Sequence, residues 1–256
     1  MLSKNKIKFI HSLNRKRTRE NKKLFLVEGN KLVLEAITSK LPLKLLVATS
    51  DFYELNELDC NIAEEVVECS AEELKKTSML QTPQQAMAVV HMPNNVLHLD
   101  QLTNQLSVAL DFVQDPGNLG TIIRIADWFG IKHLLCSTDT VDCYNPKVIQ
   151  ASMGAILRVK IHYLNLEAIL DNARNSQLPV YGTFLEGKNI YQSTLSSNGI
   201  LVMGNEGNGI SPAISDKIKH KIHIPSFAIG GYGSESLNVA TAAAICCSEF
   251  RRRTSD

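Results

Sequence analysis

The chain has 256 residues, and no stretch approaches the roughly 20 consecutive apolar residues that a membrane-spanning helix needs. The opening segment, MLSKNKIKFIHSLNRKRTREN, has no apolar core of the secretory kind. These absences set the expectation of a cytoplasmic protein without membrane contact. The six cysteines (Cys60, Cys69, Cys136, Cys143, Cys246 and Cys247) include no CxxC pair. Cys246 and Cys247 are adjacent in a predicted helix and point to different sides, which makes them poor partners for one metal. Reduced thiols and no metal site are the expectation. Neither GxGxxG nor the Lys-Ser/Thr ending of a phosphate loop occurs, so the common nucleotide fingerprints are missing. There is no internal repeat and no low-complexity segment. The net charge of +1 shows no excess of either sign.

That near-neutral total hides a segregation. Residues 1–23 carry nine cations (Lys4, Lys6, Lys8, Arg15, Lys16, Arg17, Arg19, Lys22 and Lys23) against Glu20 alone. Residues 51–73 carry nine acids and no Lys or Arg. A basic head of this kind is either a solvated face or a phosphate-binding patch. Glycine is also unevenly spread, with seven of fourteen between Gly199 and Gly233. They fall in two loops, each following a short apolar run. Glycine serves where backbone turns sharply or approaches a ligand closely.

Strand and helix patterns alternate along the chain, which implies an α/β fold. A first unit, residues 1–95, reads as helix 3–16, strand 24–28, helix 30–38, strand 43–48, helix 51–58, strand 66–68, helix 70–77 and strand 86–91. The polar tract 92–105 reads as a linker. A second unit, 105–256, opens with a buried strand at 107–113 and a turn at Asp115-Pro116-Gly117-Asn118, then a helix ending at Gly130. Strand 133–137, helices about 145–156 and 165–175, and strands 179–184, 200–203 and 221–224 follow. A last helix from about 236 to 251 ends in Arg251-Arg252-Arg253, cations at the negative end of its dipole.

Three constellations stand out in the second unit. In the first, Asn118 lies at the carboxyl end of a strand and Arg124 about two turns into the next helix. Open α/β sheets bind ligands at that end, although Asn118 could merely cap the helix and Arg124 merely pair with Asp127. The second is Gly204-Asn205-Glu206-Gly207-Asn208-Gly209, a Gly/Asn turn with a lone carboxylate inside it. The third runs from Ser234 to Ala244, where Ser234 or Ser236 would cap a helix rich in small residues.

Together these residues resemble the SpoU/TrmH family of RNA ribose 2′-O-methyltransferases. The resemblance rests on P-x-N-x-G…R-x-A-x-x-F-G at 116–130, L-V-x-G-x-E-x-x-G at 201–209 and I-P…E-S-L-N-V-A at 224–240. LFLVEGNKLVLEA at 24–36 and TPQQAMAVV at 82–90 are similar to the family's small N-terminal RNA-binding domain, of the L30e-like α/β kind. Two departures are visible: a longer segment between Pro225 and Ser236, and Gln85 where the family often has glycine.

The resemblance implies a SPOUT-type α/β domain with a C-terminal trefoil knot, a homodimer, and S-adenosylmethionine as cofactor. It implies cofactor contacts at Met203, Gly204, Asn205, Ile224, Ser236, Leu237 and Asn238. It implies catalytic roles for Arg124, Asn118, Glu206, Ser236 and Asn238, with Asn118 and Glu206 ordering the arginine and the ribose. RNA contacts would fall on Lys4, Lys8, Arg15, Lys16, Arg17, Arg19 and Lys22. Ribosomal RNA is the expected substrate, with transfer RNA as the alternative. A silent RNA-binding module of the same fold and a dinucleotide-dependent oxidoreductase are the competing classes. The retained polar residues oppose the first, and the missing GxGxxG opposes the second.

Overall fold

A computed structural model describes residues 2–228 and 235–253. Their strands form two sheets, one of four strands and one of six. The chain divides into two compact units, and the division is not a single cut. Unit 1 is residues 1–94 together with Asp142–Arg158, and unit 2 is Asn95–Val141 together with Val159–Asp256.

Unit 1 begins with α1 (Lys4–Ser12), α2 (Lys16–Lys22), β1 (Leu24–Glu28), α3 (Asn30–Thr38) and β2 (Leu43–Ala48). It continues with α4 (Ser50–Leu55), β3 (Val66–Glu68), α5 (Ala71–Thr77) and β4 (Ala86–His91). The sheet order is β1-β4-β2-β3, with β4 antiparallel to both neighbours and β3 parallel to β2. The sequence pattern gave one helix over 3–16, but the chain breaks after Ser12. Arg19 explains the break. Its guanidinium donates to the carbonyls of Leu13 and Asn14, both at 2.8 Å, so the carbonyls freed at the break are satisfied by a side chain. The same guanidinium ion-pairs with Asp142, and Arg19 is buried. α5 starts at a reciprocal capping box, with Glu73 N donating to Ser70 Oγ (3.2 Å) and Ser70 N to Glu73 Oε2 (3.0 Å).

Asp142–Arg158, which holds α7 (Pro146–Ser152), completes unit 1. Tyr144 packs its ring against Phe25 at 4.7 Å, and Gln150 Nε2 donates to the Glu28 carbonyl at 3.1 Å. Arg158 pairs with Glu35 at 2.8 Å.

Unit 2 contains β5 (Leu106–Leu110), α6 (Pro116–Trp128), β6 (His133–Ser137), β7 (Lys160–Leu164) and α8 (Leu166–Asn175). β8 (Val180–Asn189), β9 (Gly199–Met203), α9 (Pro212–Ser215), β10 (His220–His223) and α10 (Val239–Arg252) follow. The six strands are all parallel, in the order β10-β8-β9-β5-β6-β7. β5 and β9 are buried along their whole length, as central strands covered on both faces are. β7 has no counterpart in the sequence reading. Its residues KIHYL are mostly exposed or half-exposed, and the one buried member is a histidine, so no apolar alternation marks it.

Candidate active site

The segment read as a turn, Asp115-Pro116-Gly117-Asn118, is the start of α6. Asp115 is its N-cap, accepting from Asn118 N at 2.8 Å, and Pro116 takes the first helical position, where no N–H is needed. Asn118 therefore sits in the first turn of a helix that follows β5 at its carboxyl end.

Its carboxamide joins the other two constellations. Asn118 Nδ2 donates to Glu206 Oε1 at 3.0 Å, and Asn118 Oδ1 accepts from Asn238 Nδ2 at 2.8 Å. Glu206 also lies 3.4 Å from Asp115 N and 3.5 Å from Gln114 N. Asn238, not Ser234 or Ser236, caps the last helix. Its Oδ1 accepts from Ala240 N (2.9 Å) and Thr241 N (3.2 Å), and α10 accordingly starts at Val239. Ser236 and Leu237 are exposed just before that cap. Ser234 and the glycines at 230, 231 and 233 lie outside the described residues.

The loop after β9 is closed on itself. Asn205 and Gly209 exchange backbone hydrogen bonds of 2.8 and 3.0 Å. Asn205 Oδ1 accepts from Gly207 N (2.9 Å) and Asn208 N (3.0 Å). Asn205 Nδ2 donates to the Phe112 carbonyl at 2.8 Å. A Cβ on Gly204 would stand 2.2 Å from the Gly209 carbonyl carbon and 2.3 Å from Ile210 N. The glycine is thus required by the loop's own backbone, a different reason from close approach to a ligand. Met203 is buried behind the loop, with its Sδ 3.7 Å from Thr183 Oγ1, and Ile224 is half-buried beyond β10.

Arg124 stands apart. It is exposed on α6 and has neither an ion pair nor a hydrogen bond among the described residues. Asn118 and Glu206, expected to order it, are instead bonded to each other, and Asn118 also to Asn238. Among the described residues nothing engages the guanidinium.

In unit 1, Lys4, Lys8, Arg15, Lys16, Arg17 and Lys22 are all exposed. Arg19 is corrected out of that set. At 2% exposure, with its guanidinium bonded to Leu13, Asn14 and Asp142, it holds the helix break and offers no surface to a phosphate. Gln85 also has a local task, exchanging hydrogen bonds of 2.9 Å with Asn30 in both directions. No group of three or more His, Cys, Asp or Glu is placed to hold a metal among the described residues. No described helix is long and apolar enough to cross a membrane. Cys246 and Cys247 are both buried, so α10 is enclosed on two sides, and burial pushes the Cys247 thiol up to about 12.

Residues 105–248 match the model of the SpoU rRNA methylase family, over more than half of the chain. The chain belongs to the SpoU rRNA methylase family. Residues 4–88 match an MRM3-like substrate-binding domain. Among curated relatives, the 23S rRNA (guanosine(2553)-2′-O)-methyltransferase RlmP of Bacillus subtilis is 32% identical over 247 residues, 96% of each chain. A TrmH-family structure from Porphyromonas gingivalis superposes with a TM-score of 0.89 at 43% identity, covering 99% of both chains. An rRNA methyltransferase of Sinorhizobium meliloti, solved with S-adenosylmethionine bound, gives 0.86 at 27% identity over 100% of this chain and 97% of that one.

Sequence reasoning did not single out two residues that the structure places at the base of the loop, Asp111 and Phe112. A lone carboxylate inside the apolar run SVALDFV was the available signal.

Proposed function

We propose that this SpoU protein transfers a methyl group from S-adenosylmethionine to a ribose 2′-OH of ribosomal RNA. One observation carries the reading. The three motifs, far apart in sequence, meet through Asn118, which bonds both Glu206 and Asn238, while Arg124 on the same helix has no partner among the described residues. Relatives named for ribosomal RNA favour that substrate over transfer RNA.

The residues present suit the cofactor. Half-buried Ile224 and exposed Leu237 offer apolar surface, and the self-closed loop at 204–209 offers fixed backbone. Met203, Gly204, Asn205, Ile224, Ser236, Leu237 and Asn238 would hold it. When bound, it supplies a methyl group already activated as a sulfonium. The chain's own task is then alignment and care of the hydroxyl proton. A guanidinium stays protonated in proteins and offers only donors, which opposes a general-base role for Arg124. Its exposed, unpaired guanidinium fits a second role better: gripping the target phosphate and stabilising the developing alkoxide. Glu206 orients the Asn118 amide, because its carboxylate can only accept.

In this reading the exposed cations of residues 4–22 supply RNA affinity, the unit that follows residue 105 holds cofactor, and the protein works in the cytoplasm. Two copies would associate through the α6–α10 pair, where Trp128 is 85% exposed beside Arg124 and Thr121. The return of the chain from β10, at the sheet edge, to Asn118 at its centre supports a trefoil knot. The test is incubation of the full-length protein with S-adenosylmethionine and ribosomal RNA, followed by mapping of 2′-O-methyl positions. One new ribose mark, absent with Arg124→Ala, is the expected result. A mark on a base would overturn the reading.

A further inference from the structure

Asp111 directly follows β5 and is 6% exposed. Burying a carboxylate is costly unless hydrogen bonds compensate it. Here the compensation is specific. The Asp111 N–H donates to the carbonyl of Met203 at 2.9 Å, and its Oδ2 accepts from Ser211 N at 2.7 Å. Met203 and Ser211 are the residues on either side of the segment 204–210. One residue therefore holds both ends of that loop. The next residue, Phe112, is in the left-handed region at φ 62, and its carbonyl receives Asn205 Nδ2 from inside the loop. Phe112 N in turn donates to Ser137 Oγ at 2.9 Å, which ties this clasp to the end of β6.

We propose that Asp111 is the positioning residue of the cofactor loop. It would fix the spacing between Met203 and Ser211, and so the placement of Gly204, Asn205 and Glu206, without touching cofactor itself. The proposal rests on the reading of 204–209 as a cofactor-binding loop. The essential element is the acceptor for Ser211 N. Asp111→Asn keeps an acceptor oxygen at that place and loses the charge, whereas Asp111→Ala loses both. Ser211→Pro removes the donor instead, and the Ser211 φ of −62 already suits proline.

The experiment is calorimetric titration of S-adenosylmethionine into the full-length protein, with steady-state kinetics on ribosomal RNA and a melting curve for each variant. Asp111→Ala and Ser211→Pro should each bind cofactor about tenfold to hundredfold more weakly. The KM for cofactor should rise in step, and by a larger factor than kcat at saturating cofactor falls. Asp111→Asn should recover most of the affinity. Should Asp111→Ala fail to fold, Ser211→Pro carries the same test from the other partner. Unchanged affinity in Ser211→Pro, or equal falls in kcat and affinity with no recovery in Asp111→Asn, would overturn the proposal. Absence of cofactor binding by the wild type would instead overturn the reading beneath it.

Discussion

α6 and α10 lie side by side and point the same way, yet their two ends are built differently. At the N-terminal ends the contact is one 2.8 Å hydrogen bond between the half-buried carboxamide of Asn118 and the exposed one of Asn238, with Glu206 alongside. At the C-terminal ends the contact is made by charge. Arg251 donates to the carbonyls of Phe129 (2.7 Å) and Gly130 (3.2 Å), which end α6. Arg253 reaches the carbonyls of Ser193 and Tyr191, and Glu249, 6% exposed, accepts from both Arg252 and Arg253. The last carbonyls of a helix lack intrahelical partners, and a guanidinium fork supplies several donors at once. Of the cations at this end, Arg251 ties α10 to α6, while Arg252 and Arg253 are taken up by Glu249 and by the Ser193 and Tyr191 carbonyls. Nearer the other end, Arg124 has no partner among the described residues. Stability and catalysis should therefore separate along the length of one helix pair.

The sharpest way to break the comparison is Arg124→Ala. Loss of one donor that stabilises developing charge costs about 10²–10³ in rate, and the melting temperature and cofactor affinity should not move. A lowered melting temperature would show that Arg124 is structural after all. Arg124→Lys keeps charge but not the fork, and should recover only a small part of the rate.

Next in size is Gly204→Ala at the N-terminal end. Its Cβ would lie 2.2 Å from loop backbone, so the loop must open. Cofactor binding measured by calorimetry should fall by an order of magnitude or more, with a smaller loss of melting temperature. Wild-type affinity would mean the loop relaxes without consequence.

At the opposite end the effects should be reversed in kind. Glu249→Gln weakens two arginine contacts, and buried hydrogen bonds to charged groups are worth about 1.5–3 kcal/mol each. Melting should drop by several degrees, at about 2–4 °C per kcal/mol for a domain of this size, while cofactor affinity holds. An affinity loss equal to that of Gly204→Ala would show that the two ends are coupled.

The smallest effects are in pH. The Arg252 hydrogen bond, with that from Arg253, holds the Glu249 carboxyl below its ordinary value. Its contribution is present above about pH 4.3 and is lost as pH falls through the folded value. Elsewhere in unit 2, His133 and His162 form a buried pair, Nδ1 to Nε2 at 3.0 Å, across β6 and β7. Burial, with the neighbouring His162, pushes His133 down to about 4. Below about pH 6.5 the unfolded chain takes a proton that the folded ring refuses, so stability should fall between about 6.5 and 4. His133→Gln should flatten that slope in melting curves taken across the range.

The comparison also marks what was legible in the sequence. Strands such as Leu24–Glu28 and Ala86–His91 were readable because unbroken apolar runs mean buried β. Asn118, Glu206 and Asn238 were found through motifs, and the structure brings these three together. What was missed depended on partners remote in sequence. Arg19 looked like one more surface cation until Leu13, Asn14 and Asp142 surrounded it. Arg251 and Arg253 looked like solvated cations at a helix end, with no hint of the carbonyls they bind. Ser234 and Ser236 were read as the caps and Asn238 was not, although both residue types cap helices and only the chain's path chooses between them. His162 hid β7, since a buried histidine needs its partner on the next strand to be understood.

Unit 1 has a consequence in time as well as in space. Its N-terminal 94 residues leave the ribosome first, but the unit is completed by Asp142–Arg158. Arg19 cannot meet Asp142, nor Phe25 meet Tyr144, until that stretch has also been made. At roughly 5–20 residues per second the nascent unit waits several seconds with one face uncovered, and it cannot finish folding until much of the other unit's first segment has also been made.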